Sequence, residues 1–240
     1  MEVLSLSFDS PLLALEASTT AGSVALWAHG RLVAHETVVM GAGQDDRLFP
    51  AIERVLQHGA LAPRALRAIV CGAGPGSFTS LRIAAALAKG LARGSDAPLY
   101  AVPSLLVAAA SLDAQAVNTE STLLAVHADA LRGARFVLPG ERRANGKFAA
   151  VGPLARTTAA DLEQRVPASQ RVGVLASPLA DDLAIVVPDM RFLPQAVGSW
   201  REGPVALDAW EPEYGRLAEA QVKWEAQHGM PLPDTPAIRG

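Results

Sequence analysis

The chain has 240 residues, 50% hydrophobic and 19% charged, which suits a well-filled core in one large domain or two small ones and argues against general disorder. A formal net charge of −3, with no lysine or arginine run, gives no electrostatic footprint for gripping nucleic acid unaided. The single cysteine, Cys71, excludes an internal disulfide and a cysteine-based zinc site, and the five histidines never fall at helical metal-ligand spacing. The N-terminus lacks a basic leader and no apolar run reaches spanning length, so the expectation is a cytoplasmic protein without a membrane role.

In chain order, Pro11–Ala17 is a short apolar run expected of a buried strand, and Ser18–Gly22 reads as a turn of small hydroxylated residues. Ser23–Ala28 and Arg31–Met40 follow as strands joined at His29-Gly30, a two-residue hairpin signal. Asp45 or Asp46 is placed to cap a helix over Arg47–His58, whose Leu48, Ile52, Val55 and Leu56 share one face. Leu66–Gly72 is the next strand. The loop Gly72-Ala73-Gly74-Pro75-Gly76-Ser77 leads into a helix over Thr79–Arg93, with Gly94 placed to end it. Leu99–Val102 reads as a strand and Ser104–Leu112 as a helix capped by Ser104.

Polarity rises around Ala114–Glu120, where a second unit starts. Thr122–Ala128, a turn at Asp129–Gly133 and Ala134–Leu138 form another opening hairpin. Lys147–Val151, Gln170–Leu175 and Leu183–Val187 read as strands, Thr158–Arg165 as a helix, and Pro212–Gln227 as a final helix. The reading is therefore an α/β protein with an N-terminal lobe over 1–115, a C-terminal lobe over 116–229 and a tail over 230–240 expected to be disordered.

Two stretches raise the question of phosphate chemistry. Glu16, at a strand end before Ser18, Thr19 and Thr20, resembles the acid and hydroxyl turn that presents backbone N–H groups to phosphate in actin-like ATPases. Such turns favour glycine and a nearby cation, whereas Ala17 and Ser18 fill this one and Arg31 is the next basic residue, so a vestigial or structural turn competes with a phosphate site. The glycine loop lacks the lysine of a Walker A motif, and Pro75 removes an N–H, so an elbow between strand and helix competes with an anion site. Ser77 is not a nucleophile elbow, because Phe78 and Thr79 follow it where Gly-x-Ser-x-Gly is required, and nothing supports His127 and Asp129 as its base and acid.

The helix after the loop carries more information. Leu81, Ala84, Ala85, Ala88, Leu91 and Ala92 form one apolar side, which Ile83, Leu87 and Gly90 extend to an arc of roughly 220°, well beyond the ~100° that covers one face of a sheet. A helix of this kind calls for two neighbours. Its alanines would admit a second helix at close range, so a protein–protein contact is expected beside an ordinary intramolecular one.

LLALEASTTAGSVALW, QDDRLFPAIERVL and GAGPGSFTSLRIAAALAKGLA, in that order and spacing, resemble the TsaB (YeaZ) family of bacterial tRNA threonylcarbamoyladenosine biosynthesis subunits. The likeness runs over residues 12–112, with Gly74, Pro75, Gly76, Ser77, Phe78, Thr79 and Arg82 carrying the family loop. It implies a two-lobed actin/Hsp70-like (ASKHA) fold, with a mixed sheet and helices in the N-lobe and a smaller, degenerate C-lobe. It also implies a subunit without its own catalytic site, metal or cofactor, which binds the catalytic paralogue TsaD together with TsaE. ATP is expected at most at the interface of the complex, and tRNA is contacted only indirectly. Leu48, Ile52, Leu81, Ala84, Leu87, Ala88 and Leu91 are the implied interface, and the same helices can support a homodimer.

Departures from the family pattern are Glu16 for aspartate, Gln44 for histidine, Ser80 for glycine, Ala134-Arg135-Phe136 for Glu-Val-Tyr, and Gly215 for leucine after Tyr214. The alternative is a stand-alone ATPase or small-molecule kinase of the same fold, for which Glu16-Ala17-Ser18-Thr19-Thr20 is a poor phosphate loop.

Overall fold

The computed structural model of the chain describes residues 6–41, 47–112, 121–130, 132–175, 178–214 and 227. The opening strands are β1 (Leu12–Glu16), β2 (Ala21–Ala28) and β3 (Arg31–Val39), antiparallel to one another. His29 and Gly30 both take positive φ at the β2–β3 turn, the geometry a two-residue hairpin of this hand requires. β4 (Ala68–Gly72) adds parallel to β1, and β5 (Leu99–Val102) parallel to β4, giving the sheet order β3-β2-β1-β4-β5. β1 and β4 are buried along their whole length, which explains their unbroken apolar sequences.

Helices α1 (Leu48–His58) and α2 (Phe78–Ser95) cover one face of this sheet, around Leu13, Leu15, Leu26, Ile69 and Leu99. The short helix α3 (Ser104–Ala110) lies on the other face and is buried at every residue. It is apolar all round because it sits between two sheets. The second sheet is built from β6 (Thr122–Asp129), β7 (Ala134–Arg142), β8 (Phe148–Ala150), β9 (Ala155–Thr158), β10 (Arg171–Val174), β11 (Ala184–Val186) and β12 (Ala196–Val197). Its order is β11-β10-β6-β7-β8-β12, and β9 pairs with the first half of β7 while β8 pairs with the second. One short helix, α4 (Ala159–Arg165), accompanies this sheet, capped by Thr158, whose hydroxyl accepts from the Asp161 N–H at 3.0 Å. A single core runs from β1 and β2 through α3 to Phe136, Leu138, Phe148 and Val172. The mixed α/β architecture, with helices on the first sheet, is the one expected.

Several boundaries differ from the expectation. α2 starts at Phe78 and runs through Gly94 to Ser95, and Asp96, at φ 55°, takes the left-handed turn assigned to that glycine. Ser104 is not the cap of α3, because Pro103 holds that position and the serine hydroxyl is used elsewhere. β7 continues to Arg142, four residues beyond the apolar run, since backbone pairing with β8 does not need apolar side chains. β9 and β12 went unread because two to four residues carry too little alternation to register. Pro212–Tyr214 is not helical, and residues 215–226 of the proposed final helix, the tail at 230–240, the polar stretch 114–120, and the Asp45/Asp46 cap lie outside the described residues. So do the departures at Gln44 and Gly215.

After a turn at Met190–Gln195 and another at Ser199–Arg201, the chain returns to the first sheet. The Val205 N–H donates to the Leu99 carbonyl at 2.8 Å on the outer edge of β5, and residues 204–214 then run along α2 as a strap.

Candidate functional site

The turn after β1 and the glycine loop form one packed unit. Glu16 is fully buried, and its carboxylate accepts from the Ser18 N–H at 2.6 Å and from the Ser104 hydroxyl at 2.9 Å. The same hydroxyl accepts from the Gly74 N–H at 3.0 Å, so Ser104 bridges the acid and the loop. Burial pushes the Glu16 carboxyl above its usual range, against the lowering effect of these bonds. The acid is therefore shifted towards its neutral form and is engaged inside the fold. It is not aimed at a metal-bound water. Gly72 and Gly76 are required by contact, because a Cβ at the first would overlap the Glu16 carboxylate and one at the second the Ser18 carbonyl. Ser77 N–H donates to the Ser18 carbonyl at 2.8 Å, closing loop against turn.

Between the sheets, a cleft of about 260 Å³ is lined by Ser18, Thr19, Thr20, Gly76, Ser77 and Ser80 on one side. Asp129, Phe136, Val174 and Pro188 line the other. None of the described residues lining it is a lysine or arginine, and the one charge is a carboxylate. Hydroxyls and a carboxylate against apolar walls suit a small neutral or cationic solute better than a polyphosphate. The Ser77 and Ser80 hydroxyls lie 3.1 Å apart, so Ser80, at the departure from glycine, contributes a polar wall to this cleft.

His127 and Asp129, dismissed above as base and acid for Ser77, do not pair with each other. His127 is fully buried, with Nε2 3.0 Å from Asp182, and Asp129 is an exposed residue of the cleft rim. Asp182 also accepts from Arg171 Nε at 3.0 Å and from the Leu179 N–H at 2.8 Å. Burial favours neutral His127 in spite of Asp182, and the charges of Arg135 and Arg171 act in the same direction as burial. This network cross-links β6, β10 and the segment before β11. It does not reach Ser77. Sequence spacing gave no sign of it, since His127 and Asp182 are 55 positions apart.

A second carboxylate joins the two sheets. Asp189 lies 3.0 Å from His35 Nε2 on β3, accepts from Arg191 Nε at 2.9 Å, and contacts the Ser23 hydroxyl at 3.4 Å. Burial acts to raise its pKa, but the bonds from His35 and Arg191 outweigh it and hold the carboxyl well below the usual range.

The helices expected to meet a partner are only partly available. Leu48, Ile52, Leu81, Ala84 and Ala88 are between 0% and 1% exposed and belong to the core under α1 and α2, so they are not surface anchors. Sequence periodicity could not separate them from accessible neighbours, because one apolar stripe serves both purposes. Leu87 and Leu91 are half-buried, together with Ile83, which the interface assignment had left out. These three occupy one flank of α2, and on the same face of the sheet α1 exposes Phe49 to 50%. Across the buried stripe, the opposite flank carries Phe78, Arg82, Lys89 and Arg93 and meets the strap. Of the family loop, Gly74 and Pro75 are buried, Gly76, Ser77 and Phe78 half-buried, and Thr79 and Arg82 exposed.

Among the described residues there is no cluster of three or more His, Cys, Asp or Glu able to hold a metal ion, and no helix is long and apolar enough to cross a membrane.

The family model described as TsaD, tRNA N6-adenosine threonylcarbamoyltransferase, matches residues 44–143. The chain is 38% identical over 94 residues to the tRNA threonylcarbamoyladenosine biosynthesis protein TsaB of Haemophilus influenzae, which covers 39% of each chain. It is 35% identical over 98 residues to TsaB of Escherichia coli, covering 41% of this chain and 42% of that one. The matched stretch thus spans about two fifths of these curated relatives. The solved structure of YeaZ from Pseudomonas aeruginosa superposes with a TM-score of 0.68 at 28% identity, over 85% of this chain and 99% of that one. A Pseudomonas aeruginosa protein described as similar to peptidase YEAZ gives 0.70 at 27% identity, over 86% of this chain and 100% of its own.

Proposed function

The chain belongs to the TsaB (YeaZ) family, and from that premise we propose that it is a non-catalytic subunit of the machinery that makes threonylcarbamoyladenosine in tRNA. In this reading it binds and positions the catalytic paralogue TsaD, with TsaE joining the pair, and meets tRNA only through them. The observation that carries the proposal is the half-buried flank Ile83–Leu87–Leu91 beside exposed Phe49. Apolar side chains left partly uncovered on a helix whose opposite flank is already occupied are what a helical partner would bury. A second copy of the chain would compete for the same flank, so the same surface could support a homodimer of the free protein.

The chain's own cleft does not fit a nucleoside triphosphate. Among the described residues the lining carries no cation, and Glu16, the acid that a metal–nucleotide complex would need, is engaged by Ser18 and Ser104. We propose that any ATP the complex uses binds at its interface with TsaD, and we propose no chemical step for this chain. The alternative, a stand-alone ATPase or kinase, would require Mg–ATP binding to the isolated protein, measurable by calorimetry.

The test is co-purification with TsaD, supported by complementation of a strain depleted of its own TsaB. Leu87→Glu places a charge on the open flank and is expected to abolish the heterodimer and complementation while the chain stays folded. Ala88→Glu is not a useful probe, because Ala88 is fully buried and a charge there attacks the fold itself. An intact heterodimer with Leu87→Glu would reject this interface.

A further inference from the structure

The strap over residues 204–214 contacts α2 at regular intervals. Tyr214 packs on Phe78 with ring centroids 4.6 Å apart, and the Arg82 guanidinium lies 5.4 Å from the Phe78 ring on the next turn. Lys89 lies 5.8 Å from the Trp210 ring, and Arg93 pairs with Asp208. Phe78, Arg82, Lys89 and Arg93 follow one another along a single flank of the helix, so the strap runs beside it for its whole length. Its end is also tied to the glycine loop. The Glu213 N–H donates to the Ala73 carbonyl at 2.7 Å, and a Cβ at Gly74 would overlap the Glu213 carbonyl. Val205 and Leu207 pack into the core beneath.

The strap therefore fixes α2 from the side away from the proposed docking flank. It also fixes the loop from which α2 starts, on the side away from Ser18. The contacts differ in worth. Arg93 and Asp208 are largely exposed, and such a pair contributes little. The Tyr214–Phe78 stack and the Glu213–Ala73 bond are partly shielded and sit at the first turn, where α2 has no side-chain cap.

We propose that Tyr214 is a positioning residue that holds the first turn of α2 and the glycine loop in the arrangement the docking flank presents to its partner. The consequence for partner affinity rests on the docking role proposed above, while the consequence for α2 itself does not. The strap acts by lowering the ordering cost that binding would otherwise carry.

The experiment uses the full chain as wild type, Tyr214→Ala, Tyr214→Phe and Asp208→Ala, with two readouts. The first is amide hydrogen exchange of the isolated chain over Phe78–Ala84 against α1. Tyr214→Ala is expected to speed exchange at the α2 start by about an order of magnitude and leave α1 unchanged. Tyr214→Phe, which keeps the ring, and Asp208→Ala should match wild type. The second is affinity for purified TsaD, expected to fall about fivefold to tenfold with Tyr214→Ala and to return with Tyr214→Phe. Unchanged exchange in Tyr214→Ala overturns the proposal, as does faster exchange with unchanged affinity. If wild type itself does not bind TsaD, the docking role fails, and the exchange readout alone decides whether the strap orders α2.

Discussion

The two sheets handle buried carboxylates in opposite ways. In the first, Glu16 meets neutral donors, and burial raises its pKa in spite of them. In the second, Asp182 meets Arg171 and His127. At the junction Asp189 meets Arg191 and His35 and stays ionised. The first arrangement is held by close packing of a loop against a turn, with two glycines admitting the contact. The second and third are cross-links by charge. The contrast shows that the most motif-like part of the chain, from Glu16 through the glycine loop, serves to place a helix. The charged networks tie β6, β10 and β3 to segments distant in the chain.

Substitutions can break or sharpen this contrast. The largest stability effect is expected at Arg171, which is 6% exposed at its side chain. Arg171→Met leaves Asp182 buried with one titratable partner and should cost about 3 kcal/mol in chemical denaturation at neutral pH. A loss no greater than that of an average surface substitution would show that the network is not a cross-link.

Asp189→Asn comes next, at about 2 kcal/mol, because the amide cannot accept from both Arg191 and His35. Since the folded-state pKa lies below the ordinary value of 3.8, the contribution is complete well above that value and is lost progressively as the pH falls below it and through the folded-state pKa. Wild type and variant should therefore converge in acid, and parallel curves would contradict the assignment.

Glu16→Gln has the opposite sign. Its folded-state pKa is raised above 4.5, so the stability of wild type declines, relative to the glutamine variant, as the pH rises past 4.5. The slope approaches about 1.4 kcal/mol per pH unit until the folded-state carboxyl ionises. A glutamine variant that loses stability at neutral pH would mean that Glu16 is held there as a carboxylate.

Much of this was legible in the sequence. The β1–β2–β3 meander, β4, α2 and β5 followed from apolar runs and turn residues that act locally, and the glycine loop with Phe78, Thr79 and Arg82 carried the family resemblance. What stayed hidden depends on long-range contact. The apolar face of α2 could be read, but which of its residues the sheet takes and which stay open could not, so Leu81, Ala84 and Ala88 were assigned to an interface and lie in the core. The partners of His127 and Asp189 sit on other strands, and the strap reaches α2 from the far end of the described chain.

The central claim is that the open flank of α2 docks a catalytic partner while the rest of the helix holds the fold. A titration of purified TsaD with wild type and Leu87→Glu, each with its denaturation midpoint, tests it most directly. Docking on this flank should leave binding weakened about thirtyfold or more in the variant, with stability within about 1 kcal/mol of wild type. Equal binding by a folded Leu87→Glu chain would contradict it.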